Sequence, residues 1–270
     1  MKYTLTPLAN GDRNAEVWSA LDTVTDPEID ESVTSLEFVT SVRIESGNTV
    51  RIEFRLPTYW CAPNFAFLMA SDMRDAVAEL SWVEKVTVEL LDHFSADLIN
   101  RGVAAKQDFR DAFPGETDDD LRAIRKKFLE KAFERRQELL IRCLLRSGYD
   151  APWISQASLR ELIRSPLCDE GTALRKLYVS IWRRIFGDLG DESLAFLTVA
   201  GAPLETSGLP AYLRKVALVR RNAEFNGAIC RGLLAARNSQ LLDRDTTRQN
   251  NLKPNALGKG ACLGASSAPW

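Results

Sequence analysis

"TVRIEFRLPTYWCAPNFAF", residues 49–67, joins two hydrophobic patterns. In its first part Val50, Ile52 and Phe54 alternate with charged residues, and a period of two predicts a strand with one buried face. In its last part, and on to residue 80, apolar residues recur every three or four positions, which predicts a helix. Pro63 is favoured in the first turn of a helix. The stretch therefore predicts a strand, a loop with one cysteine, and a helix.

The neighbouring segments extend this unit on both sides. Residues 46–48, Ser-Gly-Asn, are typical of a tight turn, so residues 38–45 and 49–56 form a predicted β-hairpin. Residues 83–91 alternate again, and residues 14–23 carry apolar side chains at helical spacing. The predicted order of elements is αββαβ.

Beyond residue 95 the strand patterns nearly vanish. Residues 118–149 begin with acidic residues, carry basic residues along their length and end near a glycine, which indicates a long amphipathic helix. The sequence thus predicts an α+β fold, with an αββαβ domain at 1–94 and a mostly helical extension at 95–239. Residues 240–270 are polar and lack periodicity, so a disordered tail is predicted there.

Composition narrows the class of protein. The chain has 270 residues, 45% of them hydrophobic, and no apolar run long enough for a membrane span. Its start lacks the features of a secretion signal. Five widely spaced cysteines without a CxxC pair argue against a disulfide framework and a structural zinc site. We expect a cytoplasmic protein with reduced thiols, and no membrane partner.

The charge is divided unevenly along the chain. Residues 1–120 hold 10 Lys and Arg against 23 Asp and Glu, whereas residues 121–270 hold 25 against 14. The asymmetry indicates either that one half packs on the other or that each half meets a different partner. The contact could lie within one chain or between two copies in a homodimer, and the sequence leaves both open.

The predicted topology brings three segments to one edge of the sheet. The second and third strands flank a crossover helix, so they should be parallel and end at the same edge. The first strand runs the other way and begins there. Asp26 and Glu28 before it, Cys61 after the second strand and His93 after the third are therefore expected near one another, where open sheets place their ligands.

Cys61 is the central candidate for chemistry. Thr58 can offer its hydroxyl to the thiol, and a thiolate near a helix N-terminus can bind a metal or attack a substrate. An inert cysteine that fills a gap is an equal alternative. His93 is the only histidine in the chain; it is a candidate ligand or a structural residue. For Asp26 and Glu28, ordinary turn chemistry competes with metal binding.

Several classes of function lack their motifs. The chain has no P-loop, no GxGxxG after a strand, no GxSxG and no HExxH. The basic helix at 118–149 has interleaved acids and no aromatic platform, so nucleic-acid binding is not expected. A cysteine hydrolase would need His93 within reach of Cys61. We expect a protein that is not an enzyme.

Residues 14–94 resemble the metal-sulfur (iron-sulfur) cluster assembly domain of the PaaD and SufT type. The resemblance rests on "DPEIDESVTSLEFV" at 26–39, on Thr58 three residues before Cys61, and on the αββαβ order. It implies a role in iron-sulfur cluster or iron-centre assembly, with Cys61 and Thr58 binding the cargo.

The longer chain is similar to assembly-factor-like proteins associated with bacterial di-iron monooxygenases of the propane-oxidising kind. This similarity is carried by residues 58–77, 92–116 and 222–238. It implies a maturation factor whose client is a di-iron hydroxylase. Because an iron-sulfur cluster normally takes four thiolates, one cysteine predicts weak or transient binding of iron or of a cluster. The competing hypothesis is a non-catalytic folding or docking adaptor with a structural Cys61.

Overall fold

The computed structural model describes residues 10–115, 121–187 and 189–251. Within these ranges the chain forms three strands: β1 (Val39–Glu45), β2 (Thr49–Arg55) and β3 (Lys85–Leu91). The helices of the same ranges are α1 (Asn10–Asp22), α2 (Pro63–Ala78), α3 (Ala96–Ala104), α4 (Phe109–Ala112), α5 (Leu121–Arg146), α6 (Ala151–Gln156), α7 (Leu159–Arg164), α8 (Asp169–Phe186) and α9 (Leu209–Asn251).

The sheet has β2 at its centre. β1 pairs with β2 in the antiparallel sense and β3 pairs with β2 in the parallel sense, as predicted. Gly47 and Asn48 turn the hairpin with φ values of +70° and +49°, a region that glycine and asparagine tolerate best. In register, Ile52 faces Val42 on one side and Val88 on the other. The α+β class and the αββαβ order are confirmed.

Side chains along β2 alternate between a buried face and a solvent-facing face of the sheet. Val50, Ile52 and Phe54 are fully buried, because the helices pack on their side of the sheet. The charged residues between them lie on the opposite face, where Arg51 pairs with Glu89 at 3.0 Å. We call the buried cluster on the helical side the sheet core.

The sheet core continues past residue 94, where the first domain was predicted to end. Ile99 of α3 and Phe109 of α4 are buried in it. Asn100 pairs with the edge strand β3, since its side chain accepts a hydrogen bond from the Leu90 amide at 2.8 Å and donates one to the Leu90 carbonyl at 3.2 Å. The predicted boundary therefore falls inside this packing unit.

The helical extension has a second core, built mainly from α5 and α8. Its largest buried side chains include Phe133, Tyr178 and Trp182. Gln137 is fully buried and donates hydrogen bonds to the Tyr178 hydroxyl and to the Leu197 carbonyl, both at 2.8 Å. The long helix predicted at 118–149 is confirmed by α5, which ends at Arg146, three residues before the predicted end; residues 118–120 lie outside the described residues.

Ion pairs join the two cores. The Asp72 carboxylate accepts two hydrogen bonds of 2.8 Å from Arg125 of α5. Asp30, in the loop before β1, accepts hydrogen bonds from Arg135 and Arg136 of the same helix. The acidic and basic halves therefore touch within one chain, which is one of the arrangements that the charge distribution left open.

Helix α9 contributes to both cores. Leu213 near its start packs in the helical core, whereas Leu234 is buried in the sheet core. The helix runs to Asn251, into the tail predicted at 240–270; residues 252–270 lie outside the described residues. In the part of the chain that the structure describes, no helix combines the length and apolar composition needed to cross a membrane.

Candidate functional site

Cys61 lies in the loop that leaves the carboxyl end of β2. The loop carries the chain from Arg55 to Pro63, which is the first residue of α2 as predicted. The Cys61 side chain is partly buried against the sheet core. Its Sγ lies 3.1 Å from the Thr58 hydroxyl, so the predicted contact between these two side chains is present. The positive end of the α2 dipole lies just beyond, a setting that favours anionic groups.

His93 holds the backbone of Cys61 and does not contact its thiol. The Ser95 amide donates a hydrogen bond to His93 Nδ1 at 3.1 Å, so Nδ1 is an acceptor and Nε2 carries the proton. His93 Nε2 donates this proton to the Cys61 carbonyl at 2.7 Å. Burial lowers the pKa of His93 below its usual 6.5, and the bond to Cys61 opposes this effect. A neutral imidazole with both nitrogens engaged therefore supports the loop.

Asp26 is a buried carboxylate that organises the loop before β1. Its Oδ1 accepts hydrogen bonds from the amides of Glu28 and Ile29 at 2.8 and 2.9 Å. Burial raises the pKa of Asp26 from 3.8 to about 6, although the two amide bonds lower it. The turn chemistry considered from the sequence is thus present. The perturbed pKa also matches the environment common at functional sites.

The predicted metal-ligand set is not assembled as one cluster. Among the described residues, no group of three or more His, Cys, Asp and Glu side chains is placed to hold a metal ion. His93 reaches the Cys61 backbone, whereas the exposed Glu28 accepts a hydrogen bond from Asn226 of α9 at 3.2 Å. The shared sheet edge brings the three segments near one another, but their side chains engage different partners.

Helix α9 covers this edge of the sheet. Arg237 donates a 2.7 Å hydrogen bond to the Leu56 carbonyl and another to the Asp92 carbonyl. Cys230, two turns earlier, packs against the sheet core beside the loops. Sequence analysis did not identify these residues. A signal was available, since Cys230, Leu234 and Arg237 are spaced four and three residues apart and so share one helix face.

Exposed aromatic side chains surround the loop. Tyr59, Trp60 and Phe94 are 52%, 73% and 51% exposed, high values for large apolar side chains. Tyr59 and Phe94 have ring centroids 6.3 Å apart, and Phe94 stacks on His93 at 4.8 Å. Exposed apolar patches of this kind commonly mark sites of protein contact.

These features define a class of protein: a thiol-bearing αββαβ domain whose cysteine sits at the carboxyl edge of a small sheet, followed by a helical extension. Residues 14–90 match the family model described as "Iron-sulfur cluster assembly protein". The match supports this general family for the domain, and with it a role in iron-sulfur cluster assembly. A comparison of the chain with curated proteins gave no match.

Proposed function

We propose that this chain is a maturation factor that helps to load iron or an iron-sulfur cluster into a client metalloprotein. Cys61 is the transient ligand of the cargo, and Thr58 supports its thiol. The observation that carries the proposal is the Cys61 thiol, in contact with Thr58, at the edge of a domain that matches an iron-sulfur assembly family. The proposed subtype is that of PaaD and SufT, and the proposed client is the hydroxylase of a di-iron monooxygenase.

The geometry around Cys61 supports loading and release. A thiolate is a preferred ligand of iron in clusters, but a cluster normally takes four of them. Cys61 is partly buried, and His93 holds its backbone. The chain therefore offers a fixed thiol that a client's ligands can outcompete, which suits a carrier.

The aromatic residues beside the thiol support docking of a client. Tyr59 and Trp60 directly precede Cys61, and Phe94 directly follows His93. Aromatic side chains are enriched at the centres of protein interfaces. A client bound to this patch would bring its own metal ligands close to Cys61. Reduced thiols also suit the cytoplasm, where we place this role.

A cysteine hydrolase is less well supported. Its base would have to accept the proton of Cys61, yet His93 donates to the Cys61 carbonyl and accepts from the Ser95 amide. We therefore propose a role that is not enzymatic. Binding of nucleic acid or of a membrane forms no part of the proposal, and a homodimer stays a prediction.

One observation favours the alternative, a folding or docking adaptor. Leu218, Phe225, Ile229 and Leu233 of α9 are 59%, 66%, 43% and 45% exposed. Their spacing places them on one side of the helix, opposite the face that covers the sheet. A helical client subunit could bind this row of exposed apolar side chains without any use of Cys61.

Co-expression separates the two functions. The client hydroxylase is produced with wild-type chain, with Cys61→Ser or with the matched control Cys168→Ser, whose exposed cysteine lies in the extension. The iron content and activity of the purified client are then measured. The proposal expects both to fall with Cys61→Ser and to be unchanged with the control, while circular dichroism shows all variants folded. Unchanged client iron with Cys61→Ser would favour the adaptor.

A further inference from the structure

One face of α9 lies against the carboxyl edge of the sheet. A Cβ added at Gly227 would lie 3.1 Å from Ile29 Cγ2, so the helix approaches the loop before β1 closely. Leu234 is only 2% exposed and belongs to the sheet core. Arg237 donates to the carbonyls of Leu56 and Asp92, which flank the loops of the candidate site. These contacts fix both the position and the rotation of the helix.

Cys230 lies on this face, between Gly227 and Leu234. Its side chain is partly buried and packs against the sheet core, as does that of Cys61. Burial, followed by the negative charge of Asp26, raises the pKa of Cys230 to about 11. Cys230 therefore lies on the helix face that covers the loops of the candidate site, and its thiol packs against the same core as that of Cys61.

We propose that Cys230 and Cys61 form a two-thiolate site for one metal atom of the cargo, such as one iron of a transient cluster. The inference rests on the proposed function and adds a second ligand to it. On binding, each thiol loses one proton to solvent and each sulfur donates one electron pair to the metal, so no oxidant or reductant is needed. The remaining positions on the metal are filled by ligands of the client or by external thiols.

A two-thiolate site would hold the cargo more tightly than Cys61 alone. Two ligands on one rigid framework bind much more tightly than one, because the second binds at a high effective concentration. Within the described ranges no third His, Cys, Asp or Glu completes the set. The open positions would let a client's ligands enter, after which the bonds to Cys230 and Cys61 break in turn.

Anaerobic titration of the full chain with Co²⁺ tests this site. Thiolate-to-cobalt charge-transfer absorbance grows with the number of bound thiolates, so Cys230→Ser and Cys61→Ser should each show about half of the wild-type intensity per bound cobalt. Affinity should fall on the order of 100-fold in both variants, since each loses the chelate. Cys168→Ser and Cys262→Ser serve as controls and should match the wild type. Circular dichroism and Cys230→Ala verify that any loss is not unfolding.

Two outcomes would overturn the inference: wild-type intensity per cobalt in Cys230→Ser, or a one-thiolate spectrum in the wild type. A second probe, dibromobimane, becomes fluorescent when it bridges two thiols; we expect it to bridge wild type but neither variant, and no bridging in wild type would also overturn the pairing. The client assay separates the two proposals. Normal client iron with Cys61→Ser, together with a two-thiolate spectrum in wild type, would refute the maturation role alone. Loss of client iron with Cys61→Ser, but not with Cys230→Ser, would refute only the second ligand.

Discussion

Replacing Asp30 by Asn tests the ion pairs that join the acidic and basic halves of the chain. The Asp30 side chain is only 5% exposed and accepts hydrogen bonds from Arg136 Nε at 3.0 Å and Arg136 Nη2 at 2.6 Å. Arg135 Nη1 lies 3.4 Å from the same carboxylate. Asparagine keeps one acceptor oxygen and tolerates the φ of +57° at this position. The substitution therefore removes the charge and one of the two oxygens that accept hydrogen bonds from Arg136.

The expected loss follows from the burial of all three groups. Removing one partner of a fully buried ion pair costs about 3–5 kcal/mol, because the other charge is left without compensation. Arg135 and Arg136 keep 14% and 16% of their side-chain surface exposed, so water relieves part of this cost. We expect Asp30→Asn to lower the free energy of unfolding by roughly 2–3 kcal/mol.

Urea unfolding, followed by both circular dichroism and tryptophan fluorescence, measures this loss. Two probes are needed because a chain with two cores can unfold in two steps. The matched control is Arg43→Gln, which removes a charge from an ion pair on the sheet surface where the arginine is 61% exposed. It should cost less than about 0.5 kcal/mol. An equally small loss of unfolding free energy for Asp30→Asn would show that these ion pairs are solvated and contribute little to holding the halves together.

Three further predictions concern the site and the helix that covers it. Because the folded-state pKa of Asp26 is raised from 3.8 to about 6, its stabilising contribution is complete below pH 4 and is lost as the pH rises through 6. Asp26→Asn should thus be more stable than wild type by about 3 kcal/mol at pH 8 and lose this advantage near pH 4 in urea titrations; a constant difference would contradict the raised pKa. His93→Phe removes the hydrogen bond to the Cys61 carbonyl and should increase the rate at which iodoacetamide alkylates Cys61, measured by mass spectrometry. An unchanged rate would show that the loop around Cys61 keeps its conformation without His93. Gly232→Ala should stabilise α9 by up to about 1 kcal/mol. Gly227→Ala should add clearly less stability, because its methyl group would lie 3.1 Å from Ile29 Cγ2. Equal gains in stability for the two variants in thermal melts would place α9 away from the loop before β1.

Local patterns predicted the sheet domain because its strands and helices are short and adjacent in sequence. Alternation along β2, the Gly47 turn and Pro63 at the start of α2 each mark an element by its own residues. The contact between Thr58 and Cys61 also followed from local spacing. Long-range features did not follow in this way. Periodicity shows which face of a helix is apolar, but it does not show which core that face joins.

His93 shows how far the candidate site could be predicted from the sequence. The sequence placed it at the same sheet edge as Cys61, and the structure brings the two residues into contact. Which atoms meet depends on the turn after β3, where Asp92 has a φ of +51° and the Ser95 amide points to His93 Nδ1. Composition and spacing carry no information on such a turn. A residue considered as a ligand from the sequence is thus a backbone support in the structure.

Helix α9 changes how the assembly domain can work. The matched domain, residues 14–90, includes Cys61 but ends before His93 and α9. In the full chain, a helix from the extension spans the carboxyl edge of the sheet and is held there by Arg237 and Leu234. Under the proposed function, cargo and client would therefore either approach beside α9, along the exposed aromatic residues, or displace it. Because α9 also packs in the helical core through Leu213, a client that bound the extension and moved α9 would also change access to Cys61.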